Sequence, residues 1–166
     1  YYEKPDSLFT NFNLLYQVLG KTFDDLLVME YINGIEYTVD LMNTKKKSVC
    51  IPRLRNEIKN GITFSGEVVK NNKIEKYSLI LSKSLNLKYC FGFQFIMKDS
   101  IPFIIECNPR VQGSMVISTL ANANIILNSV LHVLNKPEVS IDLHYGTKFI
   151  RYWGGFSEYK NKVRKI

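Results

Sequence analysis

Three features of the sequence predict an α+β fold, an antiparallel β-sheet with helices packed against it. Several stretches of strand length alternate apolar and polar residues. The clearest two, YCFGFQFIMK and IPFIIECN, are split only by Asp99-Ser100, so one folds back onto the other. The helical periodicities do not alternate with single strands as a parallel sheet would require. With 166 residues, 46% of them hydrophobic, the chain has enough for one core, and a single domain over 1–166 is expected.

The elements follow in order. Residues 8–20, LFTNFNLLYQVLG, space their apolar side chains as a helix does and stop at Gly20. Residues 26–42, LLVMEYINGIEYTVDLM, read as two strands joined by Asn33-Gly34, a dipeptide suited to a tight hairpin turn. After the basic Lys45 to Lys47 come the strands SVCIPRLR and ITFSGEVVK, then a helix over 74–88. The hairpin of 89–98 and 101–108 is next. One helix is expected over roughly 115–135, from near Ser114 to before Pro137, with KFIRYW as a late strand.

The bulk composition excludes several classes. No apolar run approaches the roughly 18 to 20 residues of a membrane span, and YYEKPDSLF lacks a secretory pattern, so a cytoplasmic protein without a membrane partner is expected. Cys50, Cys90 and Cys107 lack CxxC spacing and read as reduced packing residues. The net charge of +7 favours anionic partners, but the excess sits largely in Lys45 to Lys47 and the tail from Lys160 to Lys165. No stacking aromatics interleave with these clusters, so nucleic acid is not expected.

Polar residues at the end of the clearest hairpin carry the chemistry. A three-residue turn, Asp99 to Ile101, sets Lys98 opposite Pro102 and Gln94 opposite Glu106. Phe93, Phe95, Met97, Phe103, Ile105 and Cys107 then share the core face, and Gln94, Ile96, Ile104, Glu106 and Asn108 the other. Gln94, Glu106 and Asn108 offer oxygen ligands of the kind Mg²⁺ or Mn²⁺ takes, with Glu106 suited to bridging two ions. Pro109 keeps Asn108 extended, and Arg110 is placed to reach a phosphate oxygen. The competing account is that Glu106 and Asn108 only satisfy turn amides and that Gln94 is an outward polar residue.

ECNPR preceded by FGFQF resembles the C-terminal metal-binding motif of the ATP-grasp superfamily, more narrowly the branch around the large subunit of carbamoyl-phosphate synthase. The resemblance implies that Gln94, Glu106 and Asn108 bind two metal ions that clamp ATP, and that Arg110 contacts its phosphates. LLVMEYINGIEYTVDLM is similar to that family's hinge strand and the strand after it. By position, Glu30, Tyr31 and Ile32 would meet adenine through their backbone, and Glu36 would bind the ribose. The 26–42 hairpin sets Glu36 opposite Tyr31, with Met29, Tyr31, Glu36, Thr38 and Asp40 on one side. Its core face is Leu26, Val28, Ile32, Ile35, Tyr37, Val39 and Leu41, with Glu30 the exception. Asp40 reads equally as a ligand or as a partner behind one, Arg53 and Arg55 as phosphate neighbours or surface arginines, and Arg151 as a contact for an acidic substrate.

The resemblance spans about 24–125, with KFIRYWGG also similar to carbamoyl-phosphate-synthase-like members. It implies ATP-dependent ligation, in which a small carboxylate substrate takes up the γ-phosphoryl group and the acylphosphate is captured by an amine or other nucleophile. The family's Gly-rich loop has no counterpart here, since Lys4-Pro5 is followed by Asp6-Ser7-Leu8-Phe9. The sequence therefore looks like the C-terminal lobe of a larger enzyme whose N-terminal lobe or subunit lies elsewhere. A non-catalytic nucleotide-binding or interaction module with the same fold is the alternative. No GxSxG or HExxH is present, and His132 and His144 read as structural.

Overall fold

The computed structural model describes residues 10–20, 22 and 27–152, together with the backbone of 156–159 and 162–165. The chain divides into two units, residues 1–32 and 33–166. The first contains helix α1, Phe12–Leu19. Asn11 caps its N-terminus by accepting from the Leu14 amide, and Gly20, at φ 84°, ends it with its N–H on the Tyr16 carbonyl. Residues 27–32 follow outside any helix or strand.

The second unit is built on a six-stranded antiparallel sheet: β1 Ile35–Asn43, β2 Ser48–Lys59, β3 Ile62–Val68, β4 Tyr89–Lys98, β5 Ile101–Asn108 and β6 Lys148–Ile150. Their spatial order is β5-β4-β1-β2-β3-β6. Helix α2, Asn72–Ser84, connects β3 to β4, and helices α3, Val116–Leu120, and α4, Ile125–Val133, follow β5. A separate two-stranded ribbon pairs β7, Phe156–Tyr159, with β8, Lys162–Lys165.

β1 is central and buried on both faces, because a strand with neighbours on each edge and helices on each side has no solvent side. Val39 and Leu41 join Phe91, Phe93 and Phe95 of β4 against Ile74 of α2. The three phenylalanine rings meet edge to face, with centroids 5.8 and 6.2 Å apart. On the other face Met42, Ile51 and Val68 pack with Met115, Ile117 and Ile125 from the α3–α4 segment.

The hairpin expected over 26–42 does not form. β1 spends both edges on β2 and β4, which leaves none for residues 27–32. Gly34 is needed for another reason: a Cβ there would lie 2.5 Å from the Met97 carbonyl oxygen and 2.7 Å from Ile96 Cγ2. The side grouping read for that hairpin falls with it, since Val28 is exposed and Thr38 and Asp40 are buried. The single helix over 115–135 is also corrected. It breaks into α3 and α4 at Ala121–Asn124, where Asn122 adopts φ 63°.

The 89–108 hairpin forms with a shorter turn than expected. Lys98 pairs with Ile101, so the turn is Asp99-Ser100, both at positive φ (49° and 63°). The register steps from Phe95↔Ile104 to Gln94↔Glu106, making Ile105 an extra residue in β5. That bulge restores the predicted Gln94–Glu106 pairing. Before it the faces exchange: Ile104 shares its face with Phe95, and Phe103 with Ile96.

Candidate functional site

The face of the sheet that carries α3 is apolar where the helices cover it and polar beyond. Along β1 alternate residues run from Met42 in the core through Asp40 and Thr38, both buried, to Glu36 at the open end. Arg53 and Arg55 of β2 lie on the same face. Arg53 is 1% exposed, its Nε 2.7 Å from Asp40 Oδ2 and its Nη2 donating to Asp40 Oδ1 at 2.8 Å. Ser118 Oγ donates to Asp40, and Arg53 Nη1 donates to Ser114 Oγ at 3.0 Å. A charge pair this deep is tolerable because Ser114 and Ser118 add hydrogen bonds to its two partners. Asp40 is therefore no ligand; it anchors Arg53 beneath the site.

Arg55, one alternation further on, reaches the open end. It donates to Glu36 Oε2 at 2.9 Å, Gln94 Oε1 at 3.0 Å, Thr63 Oγ1 at 3.0 Å and the Gly61 carbonyl at 2.7 Å. Burial pulls its pKa down, with the Glu36 carboxylate opposing. Gln94 Nε2 in turn donates to Glu106 Oε1 at 2.6 Å, and Asn108 Nδ2 donates to that same oxygen. A continuous polar chain, Glu36–Arg55–Gln94–Glu106–Asn108, thus crosses strands β1, β2, β4 and β5.

This chain borders a pocket of about 340 Å³ lined also by Arg110, Gln112, Ser114 and Arg151. Arg110 is exposed, with Nη1 donating to its neighbour's Val111 carbonyl at 3.2 Å. Arg151 lies opposite, its Nε donating to the Thr63 carbonyl at 3.3 Å. Gln112 is 7% exposed and fills the space above Gly92, where any Cβ would meet its side-chain amide within 2.5 Å. Its Oε1 is buried with no donor.

Gln94, Glu106, Asn108, Arg110 and Glu36 are therefore gathered along one open rim. Glu30, Tyr31 and Ile32 belong to the first unit, and Glu30 and Tyr31 are exposed there outside any strand. Neither Arg53 nor Arg55 is a surface arginine, and only Arg55 lines the pocket. Sequence reasoning ranked the two equally because both alternate correctly; register separates them, since Glu36 stands one step beyond the Tyr37↔Leu54 pair and so opposite Arg55. Thr63 and Gln112 carried no sequence signal.

A family model described as ATP-grasp in the biosynthetic pathway with Ter operon matches residues 22–150, well over half of the chain. The chain belongs to this ATP-grasp family. Among curated relatives of this ATP-grasp chain, the carbamoyl phosphate synthase large chain of Saccharolobus islandicus (strain M.14.25 / Kamchatka #1) is 36% identical over 83 residues, 49% of this chain and 8% of that protein. The large chain from Thermoanaerobacter pseudethanolicus is 30% identical over 107 residues, 58% of this chain and 10% of that protein. The ATP-grasp chain thus spans a tenth or less of these relatives' length.

Among solved structures, the phosphoribosylaminoimidazole carboxylase ATPase subunit from Aquifex aeolicus superposes with a TM-score of 0.61 at 20% identity, over 70% of this chain and 38% of that one. The biotin carboxylase domain of a thermophilic 2-oxoglutarate carboxylase gives 0.54 at 12% identity, over 72% of this chain and 30% of that one. These likenesses show a shared fold. The α+β sheet of the ATP-grasp chain is that of known ATP-grasp proteins.

The residues on the rim suit a hard cation. Among the described residues no group of three His, Cys, Asp or Glu side chains is placed to hold a metal ion. The donor set at the rim is instead one carboxylate flanked by two amides; turning the Asn108 amide about its last bond presents its oxygen, whereas the Gln94 oxygen is held by Arg55 Nη1.

Proposed function

We propose that this chain is the ATP- and metal-binding lobe of an ATP-grasp carboxylate ligase, acting with a further lobe that lies outside this sequence. The observation that carries the reading is the convergence of Gln94 and Asn108 on one oxygen of Glu106 at the mouth of a pocket bounded by arginines. Gln94, Glu106 and Asn108 would hold Mg²⁺ or Mn²⁺, two ions when Glu106 bridges. When bound, the ions would screen the phosphate charge that otherwise repels an incoming carboxylate.

The chain's own residues supply position and charge. Arg110 offers a guanidinium fork to a phosphate oxygen, a contact that strengthens as charge builds on a transferring phosphoryl group. Glu36, with its side chain 40% exposed, accepts ribose hydroxyls while Arg55 fixes its other side. By the resemblance drawn from sequence, the backbone of Glu30, Tyr31 and Ile32 would meet adenine. Substrate is a small carboxylate, and the acylphosphate formed from it is passed to an amine or similar nucleophile.

A second reading, a nucleotide-binding or interaction module without turnover, is favoured by Arg55. Its guanidinium donates to both Glu36 and Gln94 and so competes for the Gln94 oxygen that a metal would take. Calorimetric titration with Mg·ATP tests the site: the wild type binds and Glu106→Ala loses at least about tenfold in affinity. Equal behaviour of the two proteins removes the metal assignment. Release of ADP by the full-length gene product, dependent on an added carboxylate, separates ligase from module.

A further inference from the structure

The strands that carry the polar rim end, at their other extremity, in a second cleft. β1 runs from Glu36 at the rim to Asn43, seven residues or about 23 Å along the strand, and Asn43 pairs there with Tyr89. The cleft, about 540 Å³, is bounded by the β1–β2 turn, the end of α2 and His132 in the last turn of α4. That volume is in the range of small-molecule sites.

We propose that this cleft binds a small organic anion with a flat ring, of the aromatic phosphomonoester class. Lys45, Lys83 and Lys88 line it, together with Tyr89 and His132, and no Asp or Glu does. Among the described residues none of the three lysines has a carboxylate partner, whereas neighbouring Lys47, outside the cleft, is paired with Glu138 at 2.6 Å. Lysines near a helix end ordinarily answer its unpaired carbonyls. Here that need is met by the backbone: the amides of Leu85, Asn86 and Leu87 cap Leu81, Lys83 and Ser82. The positive charge is left over for something else.

The flat ring is called for by Tyr89. Its backbone is held at φ 59°, a conformation an aromatic residue rarely adopts; the residue is 44% exposed, and its ring is tilted 54° to that of His132 at 6.5 Å. Strained residues of this kind persist where the surroundings fix them, and they collect at ligand sites. Asn43 contributes to the fixing by donating to the Leu87 carbonyl at 3.1 Å. The result is an aromatic wall beside uncompensated ammonium groups, which is what a charged ring compound fits.

The test is a titration of the isotope-labelled chain, followed by amide NMR, with phenyl phosphate, inorganic phosphate and phenol. Expected are shifts confined to residues 43–45, 82–89 and 132, with phenyl phosphate binding at least about tenfold more tightly than either fragment. Lys83→Glu/Lys88→Glu, two exposed positions outside the core, weakens phenyl phosphate by about tenfold or more, while Lys70→Glu/Lys98→Glu, equal in charge, does not. Glu106→Ala leaves the shifts unchanged. The proposal is overturned by shifts absent from these segments, by equal affinity for phenyl and inorganic phosphate, or by equal loss in the two double variants.

Discussion

Asp40 and Glu106, two carboxylates on one sheet face, have opposite fates because one is covered by α3 and the other is not. Asp40 is sealed with Arg53, so Asp40→Ala leaves a guanidinium buried without its counter-ion. A loss of about 3–5 kcal/mol is expected, read as a lowered denaturant midpoint; a change within a few tenths would remove the structural role assigned to the pair. The thiols separate in the same way. Cys50 and Cys90 are half-buried beside the two cores, and burial pushes the Cys50 thiol strongly up, helped by Glu75. Cys107 is exposed, contrary to its reading as a packing residue. Timed alkylation of the native protein at neutral pH is expected to label Cys107 first and to spare Cys50 until denaturant is added, because only an accessible thiolate reacts.

At the scale of elements, alternation identified β2, β3, β4 and β5, and 3.6-residue spacing identified α1 and α2. The failures have physical causes. Asn33-Gly34 has the composition of a hairpin turn, yet Gly34 is present because β1 passes so close to β4 that no side chain fits between. Gly34→Ala is therefore expected to cost about 1–3 kcal/mol through overpacking rather than turn strain, and thermal melting should show it. Because the nearest atom is the Met97 carbonyl oxygen, the loss is expected to persist when Ile96 is shortened to Ala, which removes Cγ2, and no loss at all would contradict the close approach. The β4–β5 hairpin carries the opposite lesson. The turn is one residue shorter than supposed and the bulge at Ile105 adds one back, so Gln94 still meets Glu106. Without the bulge Glu106 would face away, and the amides could not converge on it.

For the molecule as a whole, the excess behind the charge of +7 sits largely in Lys45 to Lys47 and the tail from Lys160 to Lys165. Binding to arbitrary duplex DNA or RNA is expected to be absent at physiological salt; fluorescence anisotropy showing a complex with a steep salt dependence would overturn that expectation. No helix among the described residues is long and apolar enough to cross a membrane. The family was legible in ECNPR and FGFQF because ligand chemistry constrains residue type and spacing directly. Fold class and most elements were legible too, since apolar periodicity reports which face of each element is buried. What the chain alone did not determine is which edges pair. β2 follows β1 directly, but β4 is reached only after β2, β3 and α2, so the second partner of β1, the separation of Arg53 from Arg55, and the meeting of Asn43, Tyr89 and His132 at the far cleft exist only once the sheet is assembled. Side-chain direction is a local property with period two. Strand order and bulge position are global ones, and they decided which of the correctly oriented residues became neighbours.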